Sequence, residues 1–254
     1  MSKLFKLALL LVLAFSTLQA DTKLQSIVDD GELVVGTSGN MSPMTRAIDD
    51  GKTAVGFDMD LAQTMAKSLG VELVIKVIPF EKLIPALQDG DIDLIISNMT
   101  ITPERNAQVA FAGPYFISGK CLVTKKAALA NAKKEELNDT KNKMVVLRGT
   151  TDEKFVNVVM PNVKVTLVDT QEEAVTMVRE LKVSALLTEF PICKSVITSN
   201  PNDNFVSVFS KLTYEPIGVA VAPENTHLLN WTQNFLTRAK DVGLTEVLAT
   251  KWFK

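Results

Sequence analysis

The sequence predicts an α/β protein with two lobes and a cleft between them, because strand-like and helix-like segments alternate in two series. In the first series, residues 57–69 carry apolar side chains at spacings of four and are followed by Gly70, which is typical of a helix with a glycine C-cap. The next segment, 71–78, is rich in β-branched residues and indicates a strand. Such alternation predicts a parallel sheet with helices on its faces. A break at 111–115 divides the two series, and clefts between lobes are favoured ligand sites.

The same signals predict the other elements in chain order. Short apolar runs indicate strands, helical spacing of apolar residues indicates helices, and Gly90 ends a helix as Gly70 does. In the first series the predicted strands are 32–37, 71–78 and 93–98, and the predicted helices are 57–69, 81–88 and 102–110. After a strand at 121–124 and a polar, lysine-rich connection at 125–143, the second series has strands at 144–147, 163–168, 185–187 and 205–209 and helices at 151–160, 172–181 and 191–198. The final elements are a strand at 217–221 and helices at 226–241 and 243–252.

The first twenty residues have the pattern of a secretory signal peptide. Lys3 and Lys6 precede an apolar run at 7–15, and Ala20 supplies a small residue for cleavage. The run is shorter than the roughly 20 apolar residues that a membrane-spanning helix needs. We therefore expect residues 1–20 to be removed and the mature chain to be exported as a free, soluble protein that does not insert into a membrane.

The charge balance excludes some partners. The whole chain has 27 Lys and Arg against 29 Asp and Glu, and loss of Lys3 and Lys6 with the signal peptide makes the mature chain more acidic. The charges are spread along the sequence. A mildly acidic protein of this kind is not expected to bind nucleic acid or an anionic membrane as its main partner.

Cys121 and Cys193 are the only cysteines. Export would allow them to form a disulfide, but nothing local brings them together, and two separate buried thiols are the favoured interpretation. The single histidine, His227, has no partner at a metal-ligand spacing, so we expect no zinc site and no other metal or cofactor.

The segment 97–105 is the strongest candidate for a ligand site. The order Thr102-Pro103-Glu104 predicts a helix start with a threonine N-cap, and it follows directly on a predicted strand. Ligands of α/β proteins bind at the carboxyl ends of strands, where backbone N–H groups are free. Arg105 adds a planar donor group that suits a carboxylate. The same residues also fit an ordinary strand–helix turn with a surface arginine, so the segment alone leaves both interpretations open.

The order of short motifs along the chain resembles that of periplasmic amino-acid-binding proteins of ABC transporters, extracellular solute-binding protein family 3. The motifs are GELVVG at 31–36, VGFDMDLA at 55–62, LIPALQDGDID at 83–93, TITPER at 100–105, FAGPY at 111–115, GTT at 149–151 and KWF at 251–253. The resemblance implies two Rossmann-like lobes joined by two hinge strands, a periplasmic binding protein type II-like fold. Lobe 1 would comprise residues 21–115 and 213–254, and lobe 2 residues 116–212.

The resemblance also implies a function and roles for individual residues. The protein would be a monomeric periplasmic receptor that closes over an amino acid and delivers it to an ABC transporter permease, without catalysis. Arg105 would bind the ligand α-carboxylate, and Glu189, where the family usually has an aspartate, the α-ammonium. The further implied contacts are polar groups of Ser97, Asn98 and Thr100, a lobe 2 donor at Thr151, an aromatic wall at Phe80, and the lining residues Met41 and Leu147. Ser38 stands where members that bind basic side chains often carry an acid, which weakens the case for lysine or arginine.

Two other functional classes stay open. The scaffold also resembles periplasmic cyclohexadienyl dehydratases, which act on prephenate or arogenate, and a buried Glu189 with a raised pKa could act as the general acid. A sensory module of a membrane receptor is the third class, but it would need a membrane span after the domain, and we expect none beyond 252–253.

Overall fold

The computed structural model describes residues 22–207 and 213–253. The predicted signal peptide lies outside the described residues, as does part of the strand predicted at 205–209. The strands are β1 Glu32–Thr37, β2 Asn40–Met41, β3 Thr45–Ile48, β4 Thr53–Val55, β5 Glu72–Val77, β6 Leu94–Ile95, β7 Ala110–Ser118, β8 Lys120–Thr124, β9 Lys143–Leu147, β10 Lys164–Val168, β11 Ala185–Glu189, β12 Val206–Ser207 and β13 Glu215–Val221. The helices are α1 Lys23–Asp30, α2 Phe57–Leu69, α3 Leu83–Gln88, α4 Pro103–Asn106, α5 Ala127–Ala130, α6 Lys134–Leu137, α7 Thr151–Val159, α8 Gln171–Arg179, α9 Phe190–Ser199, α10 Thr226–Asp241 and α11 Leu244–Trp252.

Two five-stranded sheets form the framework, as expected for two α/β lobes. The first has the order β5-β1-β6-β13-β7 and the second the order β10-β9-β11-β8-β12. In each sheet three neighbouring strands are parallel, whereas β13 and β8 run antiparallel to their neighbours. The prediction of parallel sheets is therefore correct for these three strands, which form one side of each sheet, and wrong for β13 and β8. A small antiparallel sheet, β2-β3-β4, extends the first series.

The chain passes from the first sheet to the second between β7 and β8, with only Gly119 between them. It returns from β12 to β13 by way of 208–212, which lie outside the described residues. The pattern break predicted at 111–115 lies inside β7, because this nine-residue strand pairs with β13 along most of its length. The strand before the first crossing, β7, and the strand after the second, β13, pair with each other, so both connections between the sheets join the first sheet at this strand pair.

Two predicted elements near the candidate site are shorter in the structure. The helix predicted at 102–110 spans only Pro103–Asn106, because Ala110 already belongs to β7 and pairs with Val221. The strand predicted at 93–98 is limited to Leu94–Ile95. Its last predicted residue, Asn98, has a left-handed φ of 49° that ends any extended strand. Both changes leave residues 97–102 as a loop between the sheet and a short helix.

Three apolar clusters support this framework. One lies on the outer face of the first sheet with α2, α10 and α11, and one lies between the second sheet and α7. The third contains residues of both series, among them Met41, Phe80, Leu147 and Ile192. The two halves of the molecule therefore share a buried apolar contact in which the candidate site lies.

Cys121 and Cys193 form a disulfide, which corrects the expectation of two separate thiols. Cys121 lies in β8 and Cys193 in α9, and these elements pack against each other with the two Cα atoms 6.5 Å apart. A separation of 72 residues conceals this contact in the sequence. Among the described residues, no helix combines the length and the apolar composition that crossing a membrane requires.

Candidate ligand-binding cleft

A small cavity lies where the carboxyl ends of β6, β9 and β11 approach each other from the two sheets. Its lining residues are Met41, Phe80, Asn98, Thr100, Arg105, Leu147, Thr150, Thr151, Asp152, Thr188, Glu189 and Ile192. Every predicted site residue except Ser38 and Ser97 is on this wall. About 10 Å³ of the cavity is open to the centre of a water molecule, which is room for one water. A larger molecule can enter only if the two halves of the wall move apart.

Arg105 is held in a fixed orientation by contacts from both series. Its backbone N–H donates to the Thr102 hydroxyl at 3.2 Å, which is the predicted N-cap. Its guanidinium donates to the carbonyl of Thr100 at 2.9 Å and to the carbonyl of Gly149 at 3.1 Å, and it lies 5.2 Å over the ring of Phe80. Burial lowers the pKa of Arg105, while the nearby carboxyl groups of Glu189 and others oppose this change. Arg105 keeps its charge at any physiological pH, so it is an anchor for an anion.

Glu189 approaches the same cavity from the opposite side. It is the last residue of β11, it is 5% exposed, and its carboxyl group accepts a hydrogen bond from Asn98 Nδ2 at 3.1 Å. The Thr100 hydroxyl lies 3.5 Å from its other oxygen. Burial, reinforced by the negative charge of Asp152, raises the pKa of Glu189 to about 8. Glu189 therefore holds a proton at neutral pH until a cation faces it.

Asn98 has a free acceptor in this arrangement. Its Oδ1 is buried and has no hydrogen-bond partner among the described residues. The Asn98 backbone N–H donates to the carboxyl group of Asp58 at 2.7 Å, and the Tyr115 hydroxyl donates to the same carboxyl group at 2.8 Å. Burial raises the pKa of Asp58 to about 7, although both hydrogen bonds oppose this rise. Asp58 thus fixes the left-handed backbone of Asn98 and aims its amide into the cavity.

A buried charge cluster beside the cavity was not found from the sequence. Lys120 is 1% exposed, and its Nζ lies 2.8 Å from Asp152 Oδ1, 2.8 Å from the Thr151 hydroxyl and 3.4 Å from Glu215 Oε1. Burial opposes the charge of Lys120, but the two carboxyl groups outweigh this effect and raise its pKa, while burial raises the pKa of Asp152. Lys120 is the first residue of β8 and is followed by an apolar run, and Asp152 has the usual position of an acid in the first turn of a helix. Neither position signals a buried partner.

Ser38 and Ser97 are not among the residues that line the cavity. The Ser97 hydroxyl donates to the Ser38 hydroxyl at 3.1 Å and accepts from the Ser38 backbone N–H at 2.9 Å. Both residues are buried where β1 passes the loop after β6. Their hydroxyl groups join these two segments next to the cavity.

A larger open groove lies on the other side of β2. It has a volume of about 610 Å³ and is lined by Asn40 and Arg46 on one side and by residues of α8 and α9 on the other. It contains none of the predicted site residues. The small cavity, with a guanidinium opposite several carboxyl groups, has the chemistry to hold a molecule that carries both an anionic and a cationic group.

Comparison with known proteins places the chain in a family. The arginine-binding protein 1 of an ABC transporter of Escherichia coli K12 is 28% identical over 225 residues, covering 86% of this chain and 89% of that protein. The crystal structure of the ancestral amino acid-binding protein AncCDT-1, a precursor of cyclohexadienyl dehydratase, superposes with a TM-score of 0.83 at 34% identity, covering 92% of this chain and all of that chain. The cyclohexadienyl dehydratase of Pseudomonas aeruginosa is 34% identical over 151 residues, covering 59% of this chain and 56% of that enzyme.

The match to the family extends over residues 33–254, almost the whole described chain. It agrees with the two α/β halves, with the cavity between them, and with the solute-binding function that the motifs imply. The protein belongs to the bacterial extracellular solute-binding proteins, family 3.

Proposed function

We propose that this solute-binding protein captures an amino acid in the periplasm and delivers it to the permease of an ABC importer. The observation that carries the proposal is the meeting of Arg105, from the helix α4 of the first series, and Glu189, from β11 of the second, on the wall of one cavity. Residues 1–20 would be the export signal. The lobes would comprise 21–115 with 213–254, and 116–212.

The contacts support a specific arrangement of the ligand. Arg105 would hold the α-carboxylate through its fork of donors. The Thr151 hydroxyl accepts a hydrogen bond from Lys120 Nζ at 2.8 Å and donates to Glu215 Oε2 at 3.4 Å, and its proton would turn from this long contact to the same carboxylate. Glu189 and Asn98 Oδ1 would accept from the α-ammonium. Phe80 and Leu147 would cover the rest of the ligand.

Closure would follow from the placement of these groups on two lobes. A zwitterion that engages Arg105 and Glu189 together stabilises the closed arrangement, whereas each lobe alone satisfies only one end. The cavity in this structure has room for about one water, so the lobes would have to separate to admit an amino acid and then close around it. The closed form would be the one that the permease recognises, and no chemical step is needed.

A ligand screen tests the proposal. Mature protein, unfolded and refolded to remove carried-over ligand, is heated with each of the twenty amino acids. A ligand at 1,000 times its Kd should add about 4 kcal/mol to the free energy of unfolding, which corresponds to several degrees in Tm. Arg105→Ala should weaken binding about 30-fold or more, because it removes one partner of a buried charge pair. Arg46→Ala, an exposed arginine outside the cavity, is the matched control. If no amino acid shifts Tm, the proposal fails.

A second function is suggested by the carboxyl group of Glu189, which lies on the cavity wall and whose pKa burial raises to about 8. A cyclohexadienyl dehydratase would use such a group as the general acid for a leaving hydroxyl. Incubation with prephenate and arogenate, followed by detection of the aromatic products, distinguishes the two functions. Turnover that is lost in Glu189→Gln would replace the receptor proposal, and absence of turnover together with amino-acid binding would exclude the enzyme.

A further inference from the structure

We propose that the preferred ligand is an amino acid with a second cationic group, and that Asp152 is the residue that selects it. The inference rests on the proposed function, because it assumes that Arg105 takes the carboxylate and Glu189 the α-ammonium. The serine at position 38 weakened the case for lysine or arginine as the ligand. This inference reverses that expectation, because Asp152 supplies an acid from the opposite side of the cavity.

The charges around the cavity do not balance for a neutral amino acid. The charged groups at the cavity are the half-buried Arg105, the buried Lys120 and the buried carboxyl groups of Asp152, Glu189 and Glu215. A zwitterion engages Arg105 and Glu189, and each of those pairs is neutral. Lys120 is then shared between Asp152 and Glu215, at 2.8 and 3.4 Å, so one negative charge is left over. A buried charge without a partner is strongly unfavourable, and a second cationic group on the ligand would neutralise it.

Asp152 is the member of the pair that a ligand can reach. It lies on the cavity wall, whereas Glu215 does not. Its Oδ1 accepts from Lys120, and no hydrogen bond to its Oδ2 is present in the described part of the chain. Glu215 Oε1, in contrast, accepts from the Thr213 hydroxyl at 2.7 Å, and its Oε2 lies 3.4 Å from the Thr151 hydroxyl. The free carboxylate oxygen is therefore on the residue that faces the ligand.

The remaining wall fits the stem of such a side chain. Met41, Phe80, Leu147 and Ile192 offer apolar surface, and methionine adapts its shape easily. An aliphatic stem can lie along these residues while its charged end is directed to Asp152, as lysine and arginine side chains do on protein surfaces. A proton on one carboxyl group could supply the missing charge for a neutral ligand, but that proton would have to remain in the site during binding.

Two pairs of ligands test the inference by calorimetry on the refolded mature protein. Arginine is compared with citrulline, and lysine with norleucine, because the members of each pair have similar size but differ by one charge. We expect the cationic member to bind about tenfold more tightly or better. In Asp152→Asn this ratio should fall toward one, while Glu172→Gln, the same change at an exposed residue outside the cavity, should keep it.

The outcomes separate this inference from the proposed function. If the neutral members bind as tightly as the cationic ones, the selection by Asp152 is refuted and the amino-acid receptor stands. If Asp152→Asn keeps the wild-type ratio, Asp152 is not the selecting residue. If none of the four ligands and no other amino acid binds, the proposed function itself fails. The comparison of ligand pairs on the wild-type protein needs no variant, so a folding defect of Asp152→Asn does not weaken the test.

Discussion

Affinity for the amino acid should rise with pH up to about 8, because Glu189 must lose its proton before it can pair with an ammonium. Burial and the neighbouring acids raise the pKa of Glu189 to about 8, while Lys120 and the Asn98 amide oppose that rise. The charged groups that surround it, as the shifted pKa values indicate, are Arg105, Lys120, Asp152 and Glu215. Below pH 8 the proton and the ligand ammonium compete for one carboxyl group. The apparent Kd should then increase about tenfold for each unit that the pH falls, until another group titrates.

The magnitude can be checked in two independent ways. Between pH 8 and pH 6 the fall in affinity should be about 100-fold, measured by calorimetry at constant ionic strength. Titration at pH 6.5 in two buffers with different ionisation enthalpies should show release of about one proton per ligand bound, and at pH 9 release of none. Glu189→Gln should bind more weakly at every pH and lose the slope. A flat affinity from pH 6 to 9 with no proton released would refute the assignment of Glu189 as the ammonium acceptor.

Three further predictions concern stability. The pKa of Asp58 is raised to about 7, so the folded state holds a proton that the unfolded state loses near pH 4. The free energy of unfolding should therefore fall as the pH rises from 4 to 7. Asp58→Asn should flatten this part of the curve of denaturant midpoint against pH. Lys120→Met should destabilise the protein by about 3–5 kcal/mol in urea titrations, because two buried carboxyl groups lose their cation, and an unchanged midpoint would show that Lys120 is not essential to the cluster. Replacement of Cys121 and Cys193 by serine should lower the free energy of unfolding by about 2–4 kcal/mol, and reducing agent should have the same effect on the wild type and none on the double variant.

Local signals in the sequence were sufficient for most elements. The apolar spacing and the closing glycine predicted α2 with its observed bounds, and Gly70 has the left-handed φ of 74° that a C-cap needs. The cap at Thr102 was also correct, but the helix after it is short because Ala110 pairs with β13, a strand more than a hundred residues away. The secondary-structure propensity of a short sequence segment contains no information about a strand that pairs with it from a distant part of the chain.

The candidate site shows the same difference between local motifs, which the sequence reveals, and contacts between distant segments, which it does not. Residues whose roles follow from a short motif, such as Arg105 and Thr100, lie on the cavity wall. Ser38 and Ser97 lie in equally suitable motifs but satisfy each other, which depends on the approach of β1 to the loop after β6. The partners of Lys120 come from two distant segments, so no spacing in the sequence could have indicated them. The disulfide was not predicted for the same reason, because its two cysteines lie 72 residues apart in the sequence.

The charge cluster also lies at the crossings between the two sheets, which gives it a second role besides selecting a ligand. The backbone N–H of Lys120, just after the first crossing, donates to the Thr213 hydroxyl at 3.2 Å, and that hydroxyl donates to Glu215 at 2.7 Å, just before β13. These hydrogen bonds join the two crossings. Glu215 in turn lies 3.4 Å from Lys120 Nζ, which donates to Asp152.

The ligand loop is connected to the same strand from the other side. The backbone N–H of Ile101 donates to the carbonyl of Pro216 at 2.7 Å, and the N–H of Gly218 donates to the carbonyl of Met99 at 3.1 Å. A ligand that contacts Thr100 and Thr151 therefore acts on β13 through the loop and on Lys120 through the cluster. Because both routes end at the crossings, the proposed ligand contacts and the residues at the crossings belong to one network of hydrogen bonds.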